Sequence, residues 1–127
     1  MARILVVDDS ELVLALVGYK LTQAGYRTAT AADGSQALEQ VVAFRPDLVL
    51  LDNMMPVMGG PEVLRRLRDD RVTRGLPVIV MSARQHPGDI AAALDAGADD
   101  YVTKPFAPAE LVARIETVLR SRQLQCA

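Results

Sequence analysis

Five residues carry side chains that could do chemistry together. Asp8 and Asp9 follow the apolar run ILVV, Asp52 follows LVLL, Ser82 follows VIVM, and Lys104 follows the segment ending at Thr103. Two carboxylates 4 Å apart repel by about 4 kcal/mol at an effective dielectric near 20, so gathering three of them requires a compensating cation. Hard oxygen donors without His or Cys point to Mg²⁺, which takes one or two carboxylates, several waters and a phosphate oxygen. Lys104 adds a second positive charge, suited to a phosphate oxygen or a carboxylate. A lone Asp after a strand more often caps the next helix, and Asp9 or Ser10 could do only that.

The elements that must position these residues alternate along the chain. Strands are expected at Arg3–Asp8, Tyr26–Ala31, Asp47–Asp52, Pro77–Ser82 and Asp99–Thr103. Helices are expected near Ser10–Ala24, Gly34–Phe44, Pro61–Asp70, Pro87–Ala96 and Pro108–Arg122. Apolar residues at consecutive strand positions fit a parallel sheet covered on both faces, giving an α/β, doubly wound (βα)₅ fold. Pro61 and Pro108 open helices, while Gly25 and Gly97 close them. In such a sheet ligands bind beyond the carboxyl ends of the strands, where all five residues should converge. The Lys104-Pro105 pair requires an extended or turned backbone, and a cis bond would aim the lysine back into the crevice.

Composition narrows the partners. The 127 residues fit one domain, with 1–122 as its body and 123–127 as a short tail. Half of the residues are hydrophobic and 24% are charged, as in ordinary globular proteins. A net charge of -2 gives no surplus for a nucleic-acid backbone, so direct DNA or RNA binding is not expected. The N-terminal segment reads as neither signal peptide nor membrane span, so a cytoplasmic location without membrane insertion is expected. Cys126, the only cysteine, is incidental.

The motifs VVDDS (Val6 to Ser10), LLDNMMPVMGG (Leu50 to Gly60), VIVMSA (Val78 to Ala83) and AGADDYVTKPF (Ala96 to Phe106) resemble the response-regulator receiver family over nearly the whole chain. The resemblance implies a flavodoxin-like strand order 2-1-3-4-5. It implies Asp52 as phosphoacceptor, Asp8 and Asp9 as metal ligands directly or through water, and the Met54 carbonyl completing a Mg²⁺ site. Ser82 and Lys104 would bind phosphate oxygens, and Ser82 with Tyr101 would form a switch. The implied partners are a sensor histidine kinase or histidine phosphotransfer protein and a downstream target protein, with a homodimer as a further option. The implied chemistry is self-phosphorylation and autodephosphorylation rather than enzymatic turnover. A stand-alone module without an effector fits the length.

Two alternatives are a haloacid-dehalogenase-type phosphotransferase or phosphatase and a binding-only receiver. Against the first, Asp52 is followed by Asn53 and Met54, so the DxD nucleophile motif is missing. Against the second, all five site residues are present. Gly59 and Pro61 depart from the commonest family pattern, leaving the flexibility of the loop after Asp52 open. His86 reads as solvated, Met54, Met55 and Met58 as packing filler, and Arg65, Arg66 and Arg68 as a solvated helix face. Arg84, two residues past Ser82, is placed to influence phosphoryl lifetime. In the first helix Leu12, Leu14, Leu16, Val17, Tyr19 and Leu21 exceed one core stripe, which marks a docking face for a phosphodonor or a dimer partner.

Overall fold

The computed structural model describes residues 2–126, with side chains described to residue 122. Ten elements alternate: β1 (Arg3–Val7), α1 (Glu11–Gln23), β2 (Arg27–Ala31), α2 (Gly34–Phe44), β3 (Leu48–Asp52), α3 (Gly60–Asp69), β4 (Val78–Ser82), α4 (Pro87–Asp95), β5 (Asp100–Thr103) and α5 (Pro108–Cys126). All strand pairs are parallel, in the order β2-β1-β3-β4-β5. Elements start or stop within a residue of expectation, except that α5 continues past Arg122 through the segment read as a tail. The Cys126 side chain lies outside the described residues.

Alternation along the buried strands divides the core into two layers. Leu5, Val7, Val49, Leu51, Val78 and Val80 face α2 and α3 through Ala37, Val41, Val63, Leu64 and Leu67. Ile4, Val6, Leu48, Leu50, Ile79 and Met81 face α1 and α5 through Val17, Leu21, Leu111 and Ile115. No helix among the described residues is long and apolar enough to cross a membrane. Gly25 and Gly97, with φ of 97° and 111°, end helices in the left-handed region as their sequence positions predict.

Register sets the site. Val7 of β1 pairs with Leu51 of β3, and Asp52 pairs with Met81 of β4, so Asp8 and Asp52 emerge side by side where the chain direction across the sheet reverses. Ser82 pairs with Thr103, which brings Lys104 to the same edge. The Lys104-Pro105 bond is cis.

Candidate functional site

The carboxylate oxygens of Asp8, Asp9 and Asp52 lie within 4.8 Å of one another. Asp8 and Asp52 are buried, whereas Asp9 is exposed. The Lys104 ammonium donates to Asp8 Oδ2 at 2.7 Å and to Asp52 Oδ1 at 3.2 Å. Asp8 Oδ1 accepts the Ser10 amide at 2.9 Å, so Asp8 is held from both sides. Ser10 in turn caps α1 by accepting the Val13 amide at 3.3 Å. Asp9 makes no such cap, which frees its carboxylate to face the opening of the site.

One lysine does not balance three acids. Burial, then the neighbouring Asp8, raises the Asp52 pKa above its ordinary value, against the lowering effects of Lys104 and the Met54 amide. Burial pulls the Lys104 pKa down, but its bonds to Asp8 and Asp52 outweigh that and leave it raised. The acid cluster is therefore short of positive charge, and its donors are all hard carboxylate oxygens. Those two features fit Mg²⁺. An open groove lined by Asp9, Asn53, Met54, Met55 and Gly59 gives solvent access to the cluster. Met54 therefore stands beside Asp9, on the loop that leaves Asp52.

Ser82 is buried, and its Oγ accepts the Arg84 amide at 3.1 Å. Tyr101 is only 7% exposed, and its hydroxyl donates to the Arg84 carbonyl at 2.8 Å. The Arg84 backbone thus links Ser82 to Tyr101. The Arg84 side chain turns to Asp89 in the first turn of α4, 3.7 Å away.

Several features were not read from the sequence. A Cβ on Gly60 would run into the Asp52 carbonyl oxygen and come within 2.9 Å of Asn53 Cα, so this glycine lets α3 start against the acceptor residue. Gly59 is the N-cap of α3 without a side-chain cap bond, and Pro61 fits the first turn. His86 is the N-cap of α4, its Nδ1 accepting the Gly88 amide at 2.9 Å, which corrects its reading as merely solvated. Arg65 and Arg66 do form an exposed face, pairing with Glu62. Arg68 does not: its half-buried guanidinium donates to the carbonyls of Gly97, Arg74 and Leu76 and to Asp99. Asp99 also accepts from Arg122 on α5 and from the Val78 amide. No local pattern signals that clamp, because Gly97 and Asp99 are distant in sequence and the nearer carbonyls of Arg74 and Leu76 turn to Arg68 only through the fold of the loop after α3.

Comparison with known proteins places this geometry. The model of the response regulator receiver domain family matches residues 4–116. The chain is 47% identical over 121 residues to the DNA-binding response regulator MtrA of Mycolicibacterium smegmatis, covering 95% of this chain and 52% of the relative. It is 40% identical over 122 residues to the alkaline phosphatase synthesis transcriptional regulatory protein PhoP of Bacillus subtilis, covering 96% of this chain and 50% of the relative. The chain thus spans about half the length of these curated relatives. The Vibrio cholerae chemotaxis protein CheY4 superposes with a TM-score of 0.88 at 33% identity, covering 93% of this chain and 98% of the other. The receiver domain of Francisella response regulator 1452 gives 0.90 at 31%, covering 95% and 98%. The family's general features, phosphorylation and Mg²⁺ at an acidic pocket, match the cluster described above, and the haloacid-dehalogenase reading is set aside. The chain belongs to the response-regulator receiver family.

Proposed function

We propose that Asp52 is the phosphoacceptor of this receiver, with residues 1–122 as the body of the signalling unit. The observation that carries the reading is the convergence of three acids and one lysine at the sheet edge where the connections diverge. The Asp52 carboxylate attacks phosphorus on a phosphohistidine of a partner kinase or phosphotransfer protein. A P–O bond to Asp52 forms as the P–N bond breaks, and the histidine leaves with the electron pair. An ionised carboxylate needs no general base, so the protein's work is alignment and charge neutralisation.

Asp8, Asp9, Asp52 and the Met54 carbonyl would hold Mg²⁺. When bound there it supplies the charge that lets an anionic phosphoryl group approach the carboxylates. Lys104 moves its bond from Asp52 to a phosphoryl oxygen, and the Ser82 hydroxyl, which accepts from the Arg84 amide, turns toward the phosphoryl group to donate to another and gives up that amide as it moves. Because Arg84 also holds the Tyr101 hydroxyl, that exchange loosens Tyr101 and alters the surface of β4, α4 and β5. This is the signal read by a downstream target. The setting is cytoplasmic. Water later cleaves the acyl phosphate, with no other substrate turned over.

Incubation with acetyl phosphate and Mg²⁺ followed by intact-mass measurement tests the reading. Wild type should gain one phosphoryl group, and Asp52→Asn or EDTA should abolish the gain. Equal phosphorylation of the Asp52→Asn protein would overturn it.

A further inference from the structure

The loop that leaves Asp52 carries the Met54 carbonyl, and its far end adopts a backbone conformation that its sequence resists. Val57 has a φ of 69°. The left-handed region is open to glycine and tolerated by asparagine, but a branched side chain there is crowded by its own backbone. The Met58 amide donates to the Pro56 carbonyl at 2.7 Å, so Val57 is the middle residue of a γ-turn. With a positive φ this is the rare, strained form of that turn. Val57 is 84% exposed, so no packing of its side chain offsets the crowding.

The fold holds the turn from both sides. A Cβ on Gly34, at the start of α2, would come within 2.6 Å of Met58 Cβ; its absence lets Met58 seat against α2 and the core. At the other end the Asn53 carbonyl accepts the Gly60 amide at 3.1 Å, and the Met54 amide donates to the Asp52 carboxylate. Between these anchors, the turn's own bond is the one backbone hydrogen bond made by Met54 through Val57 among the described residues. A segment so sparsely bonded opens locally without unfolding the domain. With its ends held, it is too short for Val57 to relax without moving Met54. We propose that Val57 is a positioning residue that weakens Mg²⁺ binding: the metal-free loop relaxes at Val57, and presenting the Met54 carbonyl to the metal requires the strained turn again. This rests on the reading of Asp8, Asp9, Asp52 and the Met54 carbonyl as a Mg²⁺ site. The consequence is a higher Mg²⁺ threshold for phosphorylation than the acid cluster alone would set.

NMR titration of the intact chain with MgCl₂, following the Asn53 and Met54 amides, measures the affinity without any phosphorylation. Val57→Asn suits the left-handed turn and should tighten Mg²⁺ binding about tenfold, the factor that about 1.4 kcal/mol of relieved strain produces. Val57→Gly should also tighten it, but by less, because glycine gains freedom in the relaxed loop as well. Val57→Thr adds a polar group yet stays branched, so it should bind like wild type. Urea midpoints in EDTA should differ little between Val57→Asn and wild type, since strain released locally does not burden the metal-free fold. A Val57→Asn protein with the wild-type dissociation constant and a higher urea midpoint in EDTA would place the strain in the fold and overturn the proposal. So would equal tightening by Val57→Thr, or weaker binding by both Val57→Asn and Val57→Gly. Absence of Mg²⁺ binding in wild type and variants alike would overturn the metal site itself, and the role of Val57 with it.

Discussion

Replacing Asp52 by Asn should stabilise the metal-free protein while abolishing phosphorylation. At the 4.8 Å limit of the acid cluster, a like charge costs about 3.5 kcal/mol at an effective dielectric of 20. Lys104, at 3.2 Å from Asp52 and 2.7 Å from Asp8, gives back a comparable amount but is shared between them. Burial of Asp52 at 5% exposure then decides the sign, and it disfavours the charge. Asn keeps an acceptor for Lys104 and removes the charge, so the expected gain is about 1 to 2 kcal/mol, or roughly a 1 M rise in urea midpoint.

The pH dependence has a fixed sign. A raised carboxyl pKa means that the folded state binds the proton more tightly than the unfolded state. The Asp52 penalty is absent below the ordinary value of 3.8, grows as pH rises towards the raised value, and is complete above it. The gain from Asp52→Asn should therefore appear at neutral pH and vanish below about pH 4. Mg²⁺ should stabilise wild type more than the variant. Urea melts in EDTA and in saturating Mg²⁺ measure both effects. A variant less stable than wild type in EDTA, with a wild-type midpoint indifferent to Mg²⁺, would refute the reasoning.

Lys104→Ala leaves Asp8 and Asp52 facing each other without a counter-charge and should lower stability in EDTA by about 2 kcal/mol, part of which Mg²⁺ restores in the same melts. Gly60→Ala drives a methyl group into the Asp52 backbone; a loss of about 2 kcal/mol and slower acetyl phosphate labelling are expected, and labelling at the wild-type rate would show that the loop yields. Arg68→Ala strips donors from three carbonyls and from Asp99, for a loss of about 2 to 3 kcal/mol in thermal melts. Arg68→Lys should recover little of that, because an ammonium cannot span the same fork.

The element order and the sheet edge were legible because β-branched runs, Pro at helix starts and Gly at helix ends are local signals. Convergence of Asp8, Asp52 and Lys104 then followed from parallel topology, which places all strand ends on one edge. Other features depend on what meets in space. Gly60 looks like any loop glycine until α3 is seen starting against the Asp52 carbonyl. Arg68 shares the helical spacing of its exposed neighbours, and only the arrival of the α4–β5 loop makes it a clamp. His86 lacked the Ser, Thr, Asp or Asn identity by which caps are usually read, although its Nδ1 serves the same end. From the sequence α5 is expected to end at Arg122, with 123–127 as a short tail, yet the helix continues through 123–126.

Reductive trapping of the phosphorylated protein most directly tests Asp52 as acceptor. After treatment with acetyl phosphate and Mg²⁺, borohydride converts an aspartyl phosphate to homoserine, and peptide mass spectrometry locates the converted residue. Homoserine at position 52 alone, dependent on Mg²⁺ and abolished in Asp52→Asn, is the expected result. Conversion at Asp8 or Asp9 with Asp52 intact, or labelling indifferent to Mg²⁺, would contradict it.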